Sequence, residues 1–346
     1  MKKIVKWLFI SFLAFIAFLS FSIYKNTQTA LGPVHPIFAL IKTITPKDNE
    51  QVFIQAIKNK DTQGLKRFRE TVASFYQLSG DVIFSGTLDK TSFSSFDYAL
   101  PLNIYRPQNS DNKDLPVVIY YHGGGFTSGN IELISKVAQS IAEKSQAVVI
   151  TPSYRLAPEH PFPAAIDDSY NALKWFFQQA EELGFSTNKV FVSGDSAGGN
   201  LAATVALQAK QDNLHLAGQI LIYPDLAVLS HPFDQSIIEI GIPPSADFIT
   251  AVGIAYAANS ELKDTKHSPI YAKDLSGLAP AMFITADFDP LLTEGQQYAA
   301  QLQAAKINVD HHHYPTLSHG FISMVGLLNE ADEAIDKIAD FIKIQL

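Results

Sequence analysis

The sequence of 346 residues contains no cysteine. Disulfide bonds are therefore excluded, and the folded chain must be stabilised by its core alone. A lipid anchor attached to a leader cysteine is excluded for the same reason. The absence of cysteine does not indicate whether the protein works in an oxidising or a reducing compartment. Low-complexity tracts and internal repeats are also lacking, so the composition points to an ordinary globular chain.

Positive charge is scarce as well. The chain has 26 Lys and Arg residues against 34 Asp and Glu residues, which gives a formal net charge of −8. Nucleic-acid binding depends on a basic surface that neutralises phosphates, so we predict no nucleic-acid partner. An acidic surface gives no attraction to anionic lipid headgroups either. We therefore expect a neutral or cationic small molecule as the ligand.

A long hydrophobic run lies near the N-terminus. Lys2, Lys3 and Lys6 precede an apolar stretch over residues 7–24, which as a helix would be about 27 Å long, against a hydrocarbon core of about 30 Å. No clean A-x-A cleavage pattern follows it. The lysines before the run predict an N-terminus inside and an exported remainder. Residues 1–30 are thus predicted to be an uncleaved membrane anchor or a signal peptide of a periplasmic or secreted protein, and we prefer the anchor.

Two glycine-rich motifs carry the chemistry: HGGGF at residues 122–126 and GDSAG at residues 194–198. In a G-x-S-x-G motif the serine occupies a strained turn between a strand and a helix, and the flanking glycines avoid a collision with neighbouring backbone. The glycines of the first motif leave backbone N–H groups free to approach the oxyanion of a tetrahedral intermediate. Together the motifs predict a serine acyl-transfer site.

The surrounding sequence fits this interpretation. Residues 115–121 and 189–193 are apolar runs typical of buried parallel strands, and the second leads directly into the GDSAG motif. The alanine-rich stretch 197–210 favours a helix. We therefore predict the strand, nucleophile and helix order that the motif requires, with Ser196 as the nucleophile.

A serine nucleophile needs a base and a group that orients the base, and both are expected downstream in the order serine, acid, histidine. Asp289 follows the apolar run 281–286 and is the candidate acid, with Asp287 as its competitor. His319 lies in a small-residue loop after the predicted strand 307–314 and is the candidate base.

With these motifs, the chain resembles the hormone-sensitive-lipase-like branch of the α/β-hydrolases, a family of bacterial esterases and lipases. The resemblance extends over residues 97–346, in the family's order. Its motifs are HGGGF, YRLAPEHPFPAA at 154–165, GDSAGGN at 194–200, DPL with EG between 289 and 295, and SHGF at 318–321. It implies an acyl-enzyme mechanism on carboxylic esters of short to medium chain, without a metal or organic cofactor.

The resemblance also assigns roles to single residues. It implies Ser196 as nucleophile, His319 as base and Asp289, the aspartate before the proline, as orienting acid. It implies an oxyanion hole formed by the amides of Gly124, Gly125 and Ala197. The residues that support the two motifs are His122, Gly123, Gly194 and Gly198.

The fold class follows from the alternation of strands and helices after residue 97, which predicts a mostly parallel sheet of six or more strands covered on both faces. The resemblance implies the α/β-hydrolase fold, with a catalytic domain at 81–346. Two regions interrupt the alternation, namely the helical residues 31–80 and an insertion at about 226–260. By resemblance we predict that both form a helical cap over the active site.

Several residues have a plainer interpretation. His122 is better explained as a structural hydrogen-bonding group than as a catalyst. The three histidines at 311–313 cannot all bind one ion, because adjacent strand residues point to alternate faces. Arg155 and Glu159 are interpreted as charges that hold their loop in place. The family's second aspartate is replaced by Thr293, which we expect to cap the following helix.

Two other functions remain open at this point. Some members of the fold bind small molecules without catalysis, although the presence of His319 argues against that function here. An amidase or deacetylase would use the same triad, because ester and amide cleavage differ in leaving-group protonation and pocket shape.

Overall fold

The computed structural model describes residues 16, 19–44, 49–59, 61–108, 114–257 and 259–346. Most of the predicted leader, residues 1–15 and 17–18, lies outside the described residues. Its end forms a helix, α1, over residues 19–27. Within the described part of the chain, no helix has the length and apolar character needed to span a membrane.

An eight-stranded sheet forms the centre of the molecule, in the order β10-β9-β8-β7-β5-β6-β4-β3. Only β4 runs against its neighbours, β3 and β6, and the other pairings are parallel. This confirms the predicted mostly parallel sheet. The strands are β3 (Thr87–Ser95), β4 (Tyr98–Arg106), β5 (Val117–Tyr121), β6 (Val148–Pro152), β7 (Val190–Asp195), β8 (Gly218–Ile222), β9 (Ala281–Phe288) and β10 (Val309–Ser318).

Helices cover both faces of the sheet because its central strands are apolar on both sides. In β5, Ile119 and Tyr121 face one core cluster, whereas Val118 and Tyr120 face the other. The first cluster includes side chains of α6 (Ala164–Leu183), α7 (Ala197–Gln211) and α10 (Leu292–Ala304). The second includes side chains of α5 (Ser135–Ser145) and α11 (Asn329–Ile344).

A smaller helical layer has its own apolar cluster. The stretch before β3 forms a two-residue hairpin, β1 (Gln28–Thr29) and β2 (Gly32–Pro33), and the helices α2 (Pro36–Ile44), α3 (Asn49–Asn59) and α4 (Thr62–Tyr76). The insertion after β8 forms α8 (Gln235–Ile240) and α9 (Ala246–Ala257). Phe53 of α3 stacks on Phe68 of α4 at 3.8 Å, and both rings contact Phe248 of α9. We call α3, α4 and α9, which share this cluster, the cap; α2, which was predicted to belong to it, has its buried side chains in the second core cluster.

The two central strands end at the same level, which positions the glycine-rich motifs side by side. Tyr120 pairs with Ser193 and Tyr121 with Gly194 in the parallel β5–β7 register. The loop that follows β5 therefore begins beside the turn that follows β7. Carboxyl ends of parallel strands are where open α/β sheets bind their ligands.

Thr293 does not cap α10, so that expectation was wrong. It is the second residue of the helix, and the capping position is Leu291, whose side chain makes no capping bond. Asp289 takes over instead, because its Oδ1 accepts from Leu291 N at 2.8 Å and its carbonyl accepts from Leu292 N at 3.0 Å.

The loop after β6 is held by a buried ion pair. Asp168 of α6 is fully buried and accepts hydrogen bonds from Arg155 Nε at 2.8 Å, Arg155 Nη2 at 2.8 Å and Arg155 N at 3.0 Å. Ser95 Oγ donates to the same carboxylate. This pair joins the loop to α6 and β3, in agreement with the structural role predicted for Arg155.

Replacing Arg155 with Met should lower the free energy of unfolding by about 3–5 kcal/mol, because it leaves the carboxylate of Asp168 buried without its cation. Chemical denaturation measures the effect. Lys90→Met is the matched control, since Lys90 and Glu132 form a pair whose side chains are 60% and 58% exposed. The control should cost less than about 1 kcal/mol. Equal losses in the two variants would contradict the account.

Candidate active site

Ser196 occupies the turn between β7 and α7 with strained backbone angles, φ 57° and ψ −120°. A positive φ is costly for a residue with a side chain, and strain of this kind gathers at functional sites. Glycine is required at positions 194 and 198 because a side chain there would not fit. A Cβ at Gly194 or Gly198 would collide with the carbonyl of Tyr121 at the end of β5.

His319 and Asp289 complete a hydrogen-bonded chain with Ser196. Ser196 Oγ lies 2.9 Å from His319 Nε2, and His319 Nδ1 lies 2.9 Å from Asp289 Oδ2. With the imidazole proton on Nδ1, the serine hydroxyl donates to Nε2 and the ring donates to the carboxylate. Asp289 follows β9 and His319 follows β10, which are neighbours in the sheet. All three residues predicted from the sequence are thus brought together.

The charge of Asp289 tunes His319. Burial acts to lower the pKa of His319, but the negative charge and hydrogen bond of Asp289 outweigh it, so that the pKa is raised above its usual value. The aspartate itself is fully buried, and the histidine side chain is 12% exposed. The site therefore favours an imidazolium at His319 once a proton has been transferred to it.

Three amides remain free beside Ser196. No hydrogen bond within the described residues uses the N–H of Gly124, Gly125 or Ala197 as a donor. Ala197 is the first residue of α7, where a helix leaves its N–H groups unpaired. Gly124 and Gly125 have φ of +116° and +61°, which glycine adopts without strain. These amides have the freedom that oxyanion binding needs.

His122 contacts the backbone of the glycine loop. It is buried, its Nδ1 lies 2.7 Å from Gly123 O, and its ring stacks on Tyr154 at 4.2 Å. Tyr154 Oη donates to His122 O at 2.7 Å. Burial lowers the pKa of His122 to about 4, so it stays neutral at pH 7. These contacts agree with a structural role.

Asp195 links the two motifs, a role that the sequence reasoning missed. Its Oδ1 accepts hydrogen bonds from Gly123 N at 3.0 Å and Tyr120 Oη at 2.9 Å. Burial raises the pKa of Asp195, while these hydrogen bonds act to lower it. The only signal in the sequence was an aspartate in the variable position before the serine. Its partner could not be identified without the loop geometry.

A cavity of about 310 Å³ opens above Ser196 and His319. Its walls come largely from α2, α4 and α9, and they are mainly apolar and aromatic. The side chains that define them include Phe38, Ile41, Phe68, Val72, Phe75, Phe248, Ile249 and Val252. A cavity of this size and polarity suits a small organic ligand whose reacting group reaches the serine.

The alternative acid and the histidine run lie elsewhere. Asp287 accepts from His313 Nε2 at 2.7 Å rather than from His319. His311 and His313 lie on one side of β10, where both contact Thr285, and His312 pairs with Asp310. The alternation expected for strand residues is present.

A second charged cluster adjoins Ser196 through Asp225, whose N–H donates to Ser196 O at 3.1 Å. Within the described residues, Asp225, His231 and Glu294 form the one group with metal-like spacing. His231 Nδ1 lies 3.0 Å from Glu294 Oε2 and 4.0 Å from Asp225 Oδ1. Burial lowers the pKa of His231, but the two carboxylates outweigh it and raise it to about 9. A protonated His231 therefore faces Glu294, while burial raises the pKa of the neighbouring Asp225 to about 7. The sequence reasoning missed this cluster, because the three residues lie in separate segments.

Comparison with known proteins agrees with this site. A family model described as alpha/beta hydrolase fold matches residues 118–323. Carboxylesterase NlhH of Mycobacterium tuberculosis is 40% identical over 244 residues, which are 68% of this chain and 75% of the relative. Arylacetamide deacetylase of Bos taurus is 31% identical over 333 residues, covering 76% of this chain and 82% of the relative.

Solved structures give the same result. A hyperthermophilic esterase from the archaeon Pyrobaculum calidifontis superposes with a TM-score of 0.75 at 35% identity, covering 85% of this chain and 97% of the esterase. The resemblance drawn from the motifs is thereby confirmed. The chain belongs to the hormone-sensitive-lipase-like family of α/β-hydrolases.

Proposed function

We propose that this protein is a carboxylic-ester hydrolase that works through an acyl-enzyme on Ser196. The observation that carries the proposal is the unbroken hydrogen-bonded chain from Ser196 Oγ through His319 to Asp289, beside three amides that have no partner among the described residues. Its relatives named as carboxylesterase and esterase support ester hydrolysis. The pieces needed for acyl transfer are all side-chain or backbone groups of this chain, so the proposal includes no metal or organic cofactor.

In the first half of the reaction, Ser196 Oγ forms a bond to the ester carbonyl carbon while its proton passes to His319 Nε2. The carbonyl oxygen becomes an oxyanion, which accepts hydrogen bonds from the amides of Gly124, Gly125 and Ala197. The bond to the alcohol oxygen then breaks, and that oxygen takes the proton from His319. Asp289 stabilises the imidazolium between the two transfers.

In the second half, a water molecule attacks the acyl carbon and gives its proton to His319. The bond to Ser196 Oγ breaks, the serine recovers its proton, and the carboxylic acid leaves. The same groups therefore act twice, and each proton that His319 accepts it also returns.

The cavity supports esters with apolar acyl groups of short to medium length. Each buried methylene contributes about 0.8 kcal/mol to binding until the cavity is filled, after which longer chains gain nothing. Ser196 lines this cavity, and Phe68, Phe248 and Val252 of the cap are among its apolar walls.

Deacetylation of an arylamide is the second candidate, favoured by the similarity to arylacetamide deacetylase. The aromatic lining of the cavity also suits an aryl group. A binding protein without catalysis is disfavoured, because His319 is present and in contact with Ser196.

The lysines and the apolar run of the leader are the basis of a proposal on localisation. We propose that residues 1–30 direct export and stay attached as an anchor. Ile23 of α1 packs against the core cluster that contains α11, Thr27 is buried, and Asn26 Nδ2 donates to Thr43 Oγ1 at 2.9 Å. Cleavage near residue 30 would remove these contacts with α2 and the core, and insertion of the whole run 7–24 into a bilayer would remove the contact of Ile23, so the contacts argue against cleavage there and do not bear on the anchor.

Ser196→Ala should reduce kcat on p-nitrophenyl esters by at least about 10³-fold while the protein stays folded, because the nucleophile is removed. A series of acyl lengths, together with a matched acetanilide, measures ester and amide turnover in one assay. Ser230→Ala is the control, since Ser230 contacts Tyr271 and takes no part in the site. Turnover retained by Ser196→Ala would contradict the proposal, and equal amide and ester rates would favour the deacetylase.

The pH dependence of kcat/KM tests His319. The base must be neutral to accept a proton, so activity should rise with pH through the raised pKa of His319. Asp289→Asn removes the charge that raises this pKa, so the inflection should move to lower pH and kcat should fall by about 10⁴-fold. Asp287→Asn should leave the profile in place. If the pH profile shifts in Asp287→Asn and not in Asp289→Asn, Asp287 rather than Asp289 is the orienting acid.

A further inference from the structure

Arg69 on α4 joins the cap to the catalytic domain by hydrogen bonds. Arg69 Nε donates to Thr127 O at 2.8 Å, and Nη2 donates to Ala157 O at 3.1 Å. Its two Nη atoms also bind the two carboxylate oxygens of Glu159, at 2.8 and 2.7 Å. The fixed fork of a guanidinium is suited to such a set of acceptors, and a lysine could not satisfy all of them.

Thr127 O belongs to the loop that carries the oxyanion amides, and Ala157 O belongs to the neighbouring loop after β6. Thr127 N donates to Gly124 O at 3.2 Å, so Thr127 closes a turn on the first of the glycines with a free amide. Ala157 N donates to Phe126 O at 2.9 Å and fixes the loop from its other side. A displacement of Thr127 would therefore move Gly124. Misplacement of catalytic groups by about 1 Å can cost about 10²-fold in rate.

The cap also contacts this loop through apolar groups. Val252 of α9 lies so close to Gly125 that a Cβ there would meet its methyl group. Tyr256 of α9 stacks on Phe126 at 4.0 Å. Because α9 shares the Phe53–Phe68–Phe248 cluster with α4, the apolar contacts and the Arg69 contacts come from one packed unit.

We infer that Arg69 is a positioning residue for the oxyanion loop, and that the cap therefore helps to set the rate of acyl transfer as well as covering the substrate. The inference rests on the proposed function. The Arg69–Glu159 pair contributes little stability of its own, because the Glu159 side chain is 46% exposed. The bonds to Thr127 O and Ala157 O are the ones that fix the loop.

The test compares Arg69→Met with Glu159→Gln, which keeps the guanidinium and its two backbone acceptors. The exposed Lys66 of α4 provides a second control, Lys66→Met. Each variant is assayed with p-nitrophenyl acetate, whose acyl group is too short to fill the cap cavity, and with a longer ester. The dissociation constant of a trifluoromethyl ketone, which forms an oxyanion adduct with the serine, is measured in parallel.

Arg69→Met should lose about 10- to 100-fold in kcat on both esters, with KM for the acetate within about twofold, since the oxyanion is stabilised only after attack. Its affinity for the trifluoromethyl ketone should fall in the same proportion. Glu159→Gln and Lys66→Met should stay within about twofold of the unmodified protein, because neither change removes a bond to the loop. Added guanidinium ion should restore part of the activity of Arg69→Ala.

Two results would overturn the inference. One is an Arg69→Met variant with unchanged kcat and unchanged affinity for the ketone. The other is a rise of KM confined to the longer ester, which would mean that Arg69 only holds the cap over the substrate. If Arg69→Met does not fold, Arg69→Lys is measured. It should show a smaller loss of kcat, and its affinity for the trifluoromethyl ketone should fall in proportion to that loss. Failure of the esterase proposal would be visible separately, as an unmodified protein without ester turnover.

Discussion

The close approach of two backbone segments is the constraint on which the site depends. Tyr121 ends β5 directly beside the GDSAG turn, and the space between them admits no Cβ at Gly194 or Gly198. This contact places the loop with the free amides next to Ser196 before any substrate arrives. Asp195 then ties the segments together through Gly123 N. Preorganised donors of this kind stabilise a developing oxyanion without further rearrangement.

Buried charge is the second theme of the structure. Asp195, Asp225, Asp289 and Glu294 are all buried within a short distance of the serine, in a fold that must provide each with a partner. Asp289 has His319, Asp195 has two donors, and the remaining two carboxylates flank His231. Asp289 most of all, and then Asp195 and Asp225, favour a proton on His319, where the reaction needs one transiently.

The sequence was informative where function resides in short, local motifs. The strand, the turn at Ser196 and the following helix could be predicted because apolar runs and glycines determine the structure of their own few residues. The mostly parallel sheet could be predicted from the alternation of strands and helices. Contacts between distant segments could not be predicted. Arg69 and Thr127 are 58 residues apart, and His231 and Glu294 are 63 apart. The expectation for Thr293 was wrong because the preceding loop determines which residue precedes the first turn of a helix. Here Asp289 supplies the acceptor for the first turn.

Covalent trapping tests the central claim most directly. The protein is treated with a fluorophosphonate, which phosphonylates an activated serine, and the adduct is located by mass spectrometry of the intact chain and its peptides. The account predicts a single adduct on Ser196, which fails to form in His319→Ala and forms at the normal rate in Asp287→Asn. An adduct on another serine, or none in protein that hydrolyses esters, would contradict it.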